Sequence, residues 1–221
     1  MNPRPLPTAV LISGRGSNLK ALIDARDGGA LNLDLRGVIS NRPGAAGLEF
    51  ARAADVPELV VDHHDYPDRP AHEAAVAEAL DRLAPELIVL AGYMRVLTAP
   101  FVARYLGRMI NLHPSLLPRY PGLKTHERAL EAGDAWHGSS VHFVTPDLDA
   151  GPVLAQVRLR MRPDDDPETL AARLLPLEHQ LLVSTVELFC DGRVQWRDGR
   201  VLLDGQPLQR PLVLEDDGSM H

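Results

Sequence analysis

The chain has 221 residues, 45% of them hydrophobic, and carries a formal net charge of −7. That length suits one large domain, or at most two small ones, with enough apolar side chains for a sizeable core. The acidic balance argues against a general nucleic-acid binder, and a single cysteine excludes a disulfide framework. The apolar run at residues 9–12 is too short for a signal peptide or a membrane span. We therefore expect a cytoplasmic protein that binds neither nucleic acid nor membrane.

Strand-like and helix-like patterns alternate through the first half of the chain. They predict strands at residues 8–13, 33–40, 58–61, 87–91 and 109–112, separated by helices at residues 17–26, 45–54, 70–83 and 98–105. Such alternation is typical of a doubly wound α/β fold with a mostly parallel, Rossmann-like sheet.

The pattern changes after the fifth strand. It predicts a proline-rich loop at 114–124, a helix at 125–132, strands at 137–145 and 153–160, a long helix at 166–191 and a hairpin at 194–203. Pro176 falls inside the long helix and should kink it or end a first segment. The tail from Leu214 is polar, so we expect it to fray. The chain shows no linker, which favours a single domain over residues 1–221.

A glycine-rich turn follows the first strand. Gly14 and Gly16 allow the backbone to bend sharply and to approach a ligand closely. Ser17 and Asn18 then begin a helix, where free N–H groups and the helix dipole favour an anion such as phosphate. The alternative is a simple helix entry with Ser17 as the cap. The turn matches neither the P-loop nor the three-glycine dinucleotide fingerprint.

The fifth strand ends in the most informative residues of the chain. Asn111 and His113 lie two apart on a strand, so their side chains share a face. They sit where ligands bind in open α/β sheets, at the carboxyl end of a parallel strand. The amide can hold a developing oxyanion and the imidazole can move a proton. Asp149 could join them, although an aspartate before Ala150 and Gly151 also suits a plain turn.

Asp62, His63, His64 and Asp65 resemble a metal cluster on paper. Consecutive side chains diverge, and no further ligand pattern follows in the sequence. We therefore interpret this segment as a solvated loop and expect no metal.

At these residues the chain resembles the phosphoribosylglycinamide formyltransferase family, the folate-dependent transformylases of purine synthesis. The match runs over residues 9–192 and is strongest at 11–18, 90–97 and 111–122, with further blocks at 138–144 and 148–153. The resemblance implies the formyltransferase fold and transfer of a formyl group from 10-formyltetrahydrofolate to the amine of glycinamide ribonucleotide. It implies no metal, and a monomer or a homodimer.

The resemblance also places roles on residues. Catalysis would fall to Asn111, His113 and Asp149. The ribonucleotide phosphate and ribose would be held in the N-terminal half and on the long helix, by Gly16, Ser17, Asn18 and Glu178. The folate would contact Arg69, Met94, Arg95, Val96, Leu97, Asn111, Thr145 and Asp149, with residues 145–149 closing over it. Folate binding and catalysis would thus lie mainly in the C-terminal half.

Three residues depart from the family pattern. Arg15 replaces a short polar residue between the glycines, Lys124 stands where a histidine is common, and Pro176 lies close to Glu178. None of them belongs to the catalytic set.

Three other functions stay open. Methionyl-tRNA formyltransferases share the Asn-x-His-Pro segment, but they carry a C-terminal nucleic-acid-binding domain and lack the Gly-Ser-Asn turn. Formyltetrahydrofolate deformylases share the catalytic set, but an N-terminal domain precedes their turn. The third is a catalytically silent folate- or nucleotide-binding protein, against which the intact Asn111, His113 and Asp149 argue.

Overall fold

The computed structural model describes residues 4–215 and 217–221. The strands are β1 (Leu6–Ile12), β2 (Leu33–Ser40), β3 (Glu58–Val60), β4 (Leu87–Leu90), β5 (Met109–His113), β6 (Trp136–Phe143), β7 (Val153–Arg160), β8 (Val194–Arg197), β9 (Arg200–Leu203), β10 (Gln206–Pro207) and β11 (Leu212–Leu214). The helices are α1 (Ser17–Asp27), α2 (Gly47–Ala53), α3 (Arg69–Leu83), α4 (Ala99–Arg104), α5 (Thr125–Glu131) and α6 (Pro167–Cys190).

Eight of these strands form one sheet in the order β11-β7-β6-β5-β4-β1-β2-β3. The strands β1 to β5 pair in parallel, whereas β6 runs antiparallel to both β5 and β7. The strands β8, β9 and β10 form a small separate antiparallel sheet. The predicted α/β class with a mostly parallel sheet, a long late helix and a hairpin is confirmed.

The sheet is covered on both faces, as a parallel sheet requires. On β1, Val10 and Ile12 join the core layer beneath α1, α2 and α6. Ala9 and Leu11 point to the opposite layer, which is shared with α3 and α4. Every one of these four side chains is fully buried. In the part of the chain that the structure describes, no helix has the length and apolarity needed to cross a bilayer.

Two details differ from the sequence-based expectations. α6 runs from Pro167 to Cys190 without a break, so Pro176 does not end a first segment. The tail is not frayed in the described residues, because Val213 N donates to His221 O (2.8 Å) and Glu215 N donates to Ser219 O (2.9 Å). This return pairs the tail with β11, a three-residue strand that the prediction missed.

Candidate active site

Three neighbouring parallel strands deliver the predicted functional segments to one edge of the sheet. β1 is followed by the glycine-rich turn, β4 by residues 91–97, and β5 ends in the asparagine and histidine. Ser13 ties the first two segments together, because its hydroxyl accepts the Met94 backbone N–H (2.7 Å). The fold therefore gathers these segments where an open α/β sheet binds its ligands.

Asn111 has its amide held by a histidine on the adjacent antiparallel strand. β5 and β6 place Asn111 directly opposite His142, and Asn111 Nδ2 lies 3.1 Å from His142 Nε2. His142 donates from Nδ1 to the backbone oxygen of Phe143 (3.0 Å), so its Nε2 is an acceptor in the neutral ring. Burial lowers the pKa of His142, which favours that neutral form. One N–H of the Asn111 amide is thereby fixed, and the second remains for a ligand.

His113 is buried and has an acceptor near each ring nitrogen. Its Nε2 donates to the backbone oxygen of Tyr120 (2.9 Å), and its Nδ1 lies 3.5 Å from Asp149 Oδ2. Since a carbonyl can only accept, Nε2 must carry a hydrogen. In a doubly protonated ring, each N–H would thus face an acceptor, the Tyr120 carbonyl or the Asp149 carboxylate.

Asp149 stands at the centre of the polar groups. Its backbone has a φ of 50°, a left-handed conformation that aspartate tolerates better than most residues. Oδ2 accepts the Gly122 N–H (2.8 Å), and Oδ1 lies 3.7 Å from His142 Nε2. The carboxylate therefore faces both histidines from a side chain that is 10% exposed.

A cavity of about 510 Å³ opens over these groups. Its lining includes the predicted folate-contacting residues Met94, Arg95, Val96, Leu97, Asn111, Thr145 and Asp149, together with His113 and His142. Leu123 and Leu148 also line it. Together with Met94 and Val96 they form an apolar surface that is at least half exposed at each residue. An apolar wall beside a few convergent polar groups is the usual character of a small-molecule site.

Arg69 is not part of this lining. It is exposed and forms the first residue of α3, where Asp68 caps the helix by accepting the Ala71 N–H (2.8 Å). Its predicted folate contact stays a prediction.

The glycine-rich turn also lies outside the cavity lining. Gly16, not Ser17, is the cap residue of α1; its φ is 74° and no side chain caps the helix in the described structure. The alternative of Ser17 as a simple cap is therefore wrong. A Cβ on Gly16 would lie 2.4 Å from the Gly47 Cα, so two backbones meet here with no room for a side chain. Asn18 Oδ1 is buried without a hydrogen-bond partner among the described residues.

Glu178 lies on α6 beside β6. Its Oε1 accepts a hydrogen bond from the Ser139 hydroxyl (2.7 Å). Burial raises the pKa of Glu178, against the opposing effect of that hydrogen bond. Pro176 precedes it in an uninterrupted helix, and the Lys124 departure is an exposed residue that pairs with Glu127 (2.8 Å).

Sequence reasoning missed three contributors to the site: His142, the Tyr120 carbonyl and the Gly122 N–H. It also missed a contact between partly buried His126 and buried His137, whose Nδ1 and Nε2 lie 2.9 Å apart. Burial lowers the pKa of His137 to about 4. Antiparallel pairing of the predicted strands at 109–112 and 137–145 is the signal that could have placed His142 next to Asn111.

The Asp62, His63 and His64 side chains do not diverge as expected. Their possible ligand atoms lie within 4.8 Å of one another. Asp62 caps a short 3₁₀ turn by accepting the His64 backbone N–H (3.0 Å) and Nδ1 (2.9 Å), which explains the proximity. His63 is instead turned toward Asn41, whose backbone oxygen accepts from Nδ1 (2.9 Å).

The fold and the sequence match those of related proteins. The formyl transferase family matches residues 7–186 of the chain. Phosphoribosylglycinamide formyltransferase of Escherichia coli (strain K12) is 44% identical over 199 residues, 90% of this chain and 94% of that protein. A solved phosphoribosylglycinamide formyltransferase from Coxiella burnetii, in complex with CHES, has a TM-score of 0.89 at 51% identity, covering 93% of this chain and 96% of that one. The chain belongs to the formyl transferase family, and the predicted resemblance is confirmed.

A second activity occurs on the same fold. A solved formyltetrahydrofolate deformylase from Pseudomonas putida KT2440 has a TM-score of 0.81 at 29% identity, covering 92% of this chain and 71% of that one. Because the fold is shared, the choice between transfer and hydrolysis depends on the residues of the site.

Proposed function

We propose that this chain transfers the formyl group of 10-formyltetrahydrofolate to the amine of 5'-phosphoribosylglycinamide, a step of purine biosynthesis. The observation that carries the proposal is the two-part site. Asn111, His113 and Asp149 converge at one cavity, and an uncapped helix start follows the strand two places away in the sheet. A donor and a phosphorylated acceptor need two such subsites that meet.

The cavity fits the folate co-substrate. The segment from Met94 to Leu97 offers an apolar wall and backbone groups for a flat heterocycle, and Thr145 to Asp149 form the facing loop. Wall and loop together resemble a slot for a ring system, with the formyl group directed toward Asn111. The exposed rim would leave the anionic glutamate tail near the surface.

Asn111 is proposed to stabilise the oxyanion. The substrate amine attacks the formyl carbon, and the formyl oxygen becomes negative in a tetrahedral intermediate. The Asn111 N–H that His142 leaves available would donate to that oxygen. Because the amide is oriented before the reaction, little reorganisation is needed; loss of one such donor typically costs about a hundred- to a thousandfold in rate.

His113 and Asp149 are proposed to handle charge and protons. Protonated His113 would add a positive charge beside the oxyanion, with Asp149 holding the imidazolium from 3.5 Å. Through an ordered water, Asp149 would help the amine proton reach the departing folate nitrogen. The carbon–nitrogen bond to folate then breaks as the oxyanion collapses, which gives the formamide and tetrahydrofolate.

The start of α1 is proposed to hold the ribonucleotide phosphate. The first N–H groups of a helix have no partner within it, and the helix dipole favours an anion there. Gly16, Ser17 and Asn18 supply this region, where backbone N–H groups would donate to the phosphate. The unpartnered Asn18 Oδ1 is an acceptor, so it would accept from an N–H or O–H group of the ribonucleotide rather than contact the phosphate. Glu178 would accept hydrogen bonds from the ribose hydroxyls. We further propose one formyltransferase domain over residues 1–221, with the acceptor held mainly by the N-terminal half, and a cytoplasmic location.

A spectrophotometric assay of 10-formyltetrahydrofolate consumption tests the proposal. We expect consumption to require glycinamide ribonucleotide. Consumption with water alone would instead establish the deformylase function, which the likeness to the Pseudomonas putida deformylase makes the second candidate. Absence of turnover with either acceptor would favour the transfer-RNA substrate or a binding role.

A further inference from the structure

We propose that Asp134 is a positioning residue for His113, acting through Tyr120. This inference rests on the proposed function of the same site. Asp134 lies in the short connection between α5 and β6, and its side chain is only 12% exposed. It touches neither the cavity nor the catalytic set, so its effect must pass through the loop that it holds.

The loop at residues 114–124 carries both backbone groups that contact the catalytic side chains. The Tyr120 carbonyl accepts from His113 Nε2 (2.9 Å), and the Gly122 N–H donates to Asp149 Oδ2 (2.8 Å). These two contacts keep a hydrogen on His113 Nε2 and set where the Asp149 carboxylate points. A shift of this loop would therefore disturb both residues at once.

The backbone of Tyr120 is strained. Its φ is 55°, a left-handed conformation that bulky residues rarely adopt. Such a conformation persists only where surrounding contacts hold it. The orientation of the Tyr120 carbonyl toward His113 therefore depends on contacts that hold the Tyr120 side chain.

Asp134 provides that fixing contact. Tyr120 OH donates to Asp134 Oδ2 (2.7 Å), and Arg119 donates to Asp134 Oδ1 (2.7 Å) and to the Tyr120 hydroxyl (3.0 Å). The Arg119 and Arg128 guanidinium groups lie 5.1 Å and 5.2 Å from the centre of the Tyr120 ring. One carboxylate thus binds two consecutive loop residues.

Asp134 is itself held by α5 and lies next to the strand β6 along the chain. Its backbone N–H donates to Ala129 O at the end of α5, and β6 begins two residues later at Trp136. The contact therefore joins the loop to the strand that also bears His142. An exposed ion pair elsewhere on the surface would contribute little to stability and would leave catalysis unchanged.

Asp134→Asn and Tyr120→Phe test the proposal, singly and together. Asp134→Asn removes the negative charge that accepts these hydrogen bonds, and Tyr120→Phe removes the hydroxyl that donates one of them. Both keep the side-chain volume nearly unchanged, and Tyr120→Phe leaves the aromatic ring in place. We expect each to lower kcat about tenfold, since small misplacements of catalytic groups have effects of this kind. KM for both substrates should stay within about twofold, and the double variant should be no slower than the worse single one, because the two residues act through one contact.

Asp204→Asn is the matched control. Asp204 also forms a two-point ion pair with an arginine, Arg193 (3.0 and 2.8 Å), at the end of the small sheet where β8 begins and β9 ends. We expect this variant to keep the kcat of the wild type.

The ring-nitrogen chemical shifts of ¹⁵N-labelled His113, assigned with a His113→Gln reference, provide a readout that does not depend on turnover. We expect one set of ring-nitrogen shifts with Nε2 protonated in the wild type. In Asp134→Asn and Tyr120→Phe we expect a shifted or broadened Nε2 signal, with a changed pH profile of kcat. If kcat and these shifts match the wild type in Tyr120→Phe, the proposal is overturned, even where Asp134→Asn fails to fold. If the wild type transfers no formyl group, the proposed function fails, while the shifts still decide the role of Asp134.

Discussion

The two ends of the site differ in how their polar groups are satisfied. At the end of β5, Asn111 and His113 already have protein partners that set their orientation. At the start of α1, in the described residues, no side chain caps the helix and the Asn18 amide oxygen has no partner. The difference suits two tasks: a reacting group must be oriented before the substrate arrives, whereas a binding group must keep its hydrogen bonds for the ligand.

The largest loss of activity should come from changes at the end of β5. We expect Asn111→Ala and His113→Ala each to lower kcat by at least about a hundredfold, because each removes charge stabilisation needed in the transition state. The fold should persist, which circular dichroism and thermal unfolding would verify. Full activity in either variant would contradict the assigned roles.

The stability of the ligand-free protein should depend on the absence of a side chain at Gly16 in the glycine-rich turn. Gly16→Ala would place a Cβ 2.4 Å from the Gly47 Cα at a φ of 74°. We expect a loss of about 1–3 kcal/mol in the free energy of unfolding, measured by urea titration. Gly14→Ala is the matched control, because no atom lies within 4 Å of the added Cβ. Equal stabilities for the two variants would show that the close backbone approach is not required.

A charge at the turn should separate the two substrates. We expect Ser17→Asp to raise KM for the ribonucleotide about tenfold or more, since a carboxylate at the helix start repels phosphate. KM for 10-formyltetrahydrofolate should change far less, and steady-state kinetics in one variant supplies both values. Equal effects on both constants would be inconsistent with phosphate binding at this turn.

The smallest effect concerns pH and the histidine pair formed by His126 on α5 and His137 on β6. Burial and the neighbouring His126 lower the pKa of His137 to about 4, with a smaller effect of His113 in the same direction and of Asp134 in the opposite one. Because the folded state favours the neutral ring, this contribution to stability is complete above the ordinary value of 6.5 and is lost as pH falls toward 4.

We expect His137 to account for about half to one kcal/mol of the stability lost between pH 7 and pH 6. Urea unfolding of the wild type and His137→Gln at both pH values would measure the difference in slope. Identical slopes would mean that His137 is not held neutral by the fold.

The features that depend on local sequence could be predicted. The bounds of β2 were predicted correctly because its first half alternates apolar and charged residues, its second half is mostly apolar, and Asn41 with Arg42 and Pro43 follows. Asn111 and His113 were found because their spacing on a strand puts them on one face. The apolar character of α6 extends through Pro176, so packing on the sheet outweighs the local preference for a break.

The non-local part could not be predicted in the same way. The contact of His142 with Asn111 depends on the register of β5 against β6, which a single sequence does not specify. The Tyr120 and Gly122 contacts use backbone atoms, so the type of side chain gives no signal. Glu178 had no pattern around it and was identified through the resemblance alone.

Transfer of a ¹³C-formyl label tests the central claim most directly. Wild-type protein and Ser17→Asp would be incubated with labelled 10-formyltetrahydrofolate and glycinamide ribonucleotide, and the products followed by NMR. We expect the wild type to place the label in the formamide of the ribonucleotide, and Ser17→Asp to do so poorly at the same ribonucleotide concentration. Label released as formate by the wild type, at a rate that Ser17→Asp leaves unchanged, would contradict it.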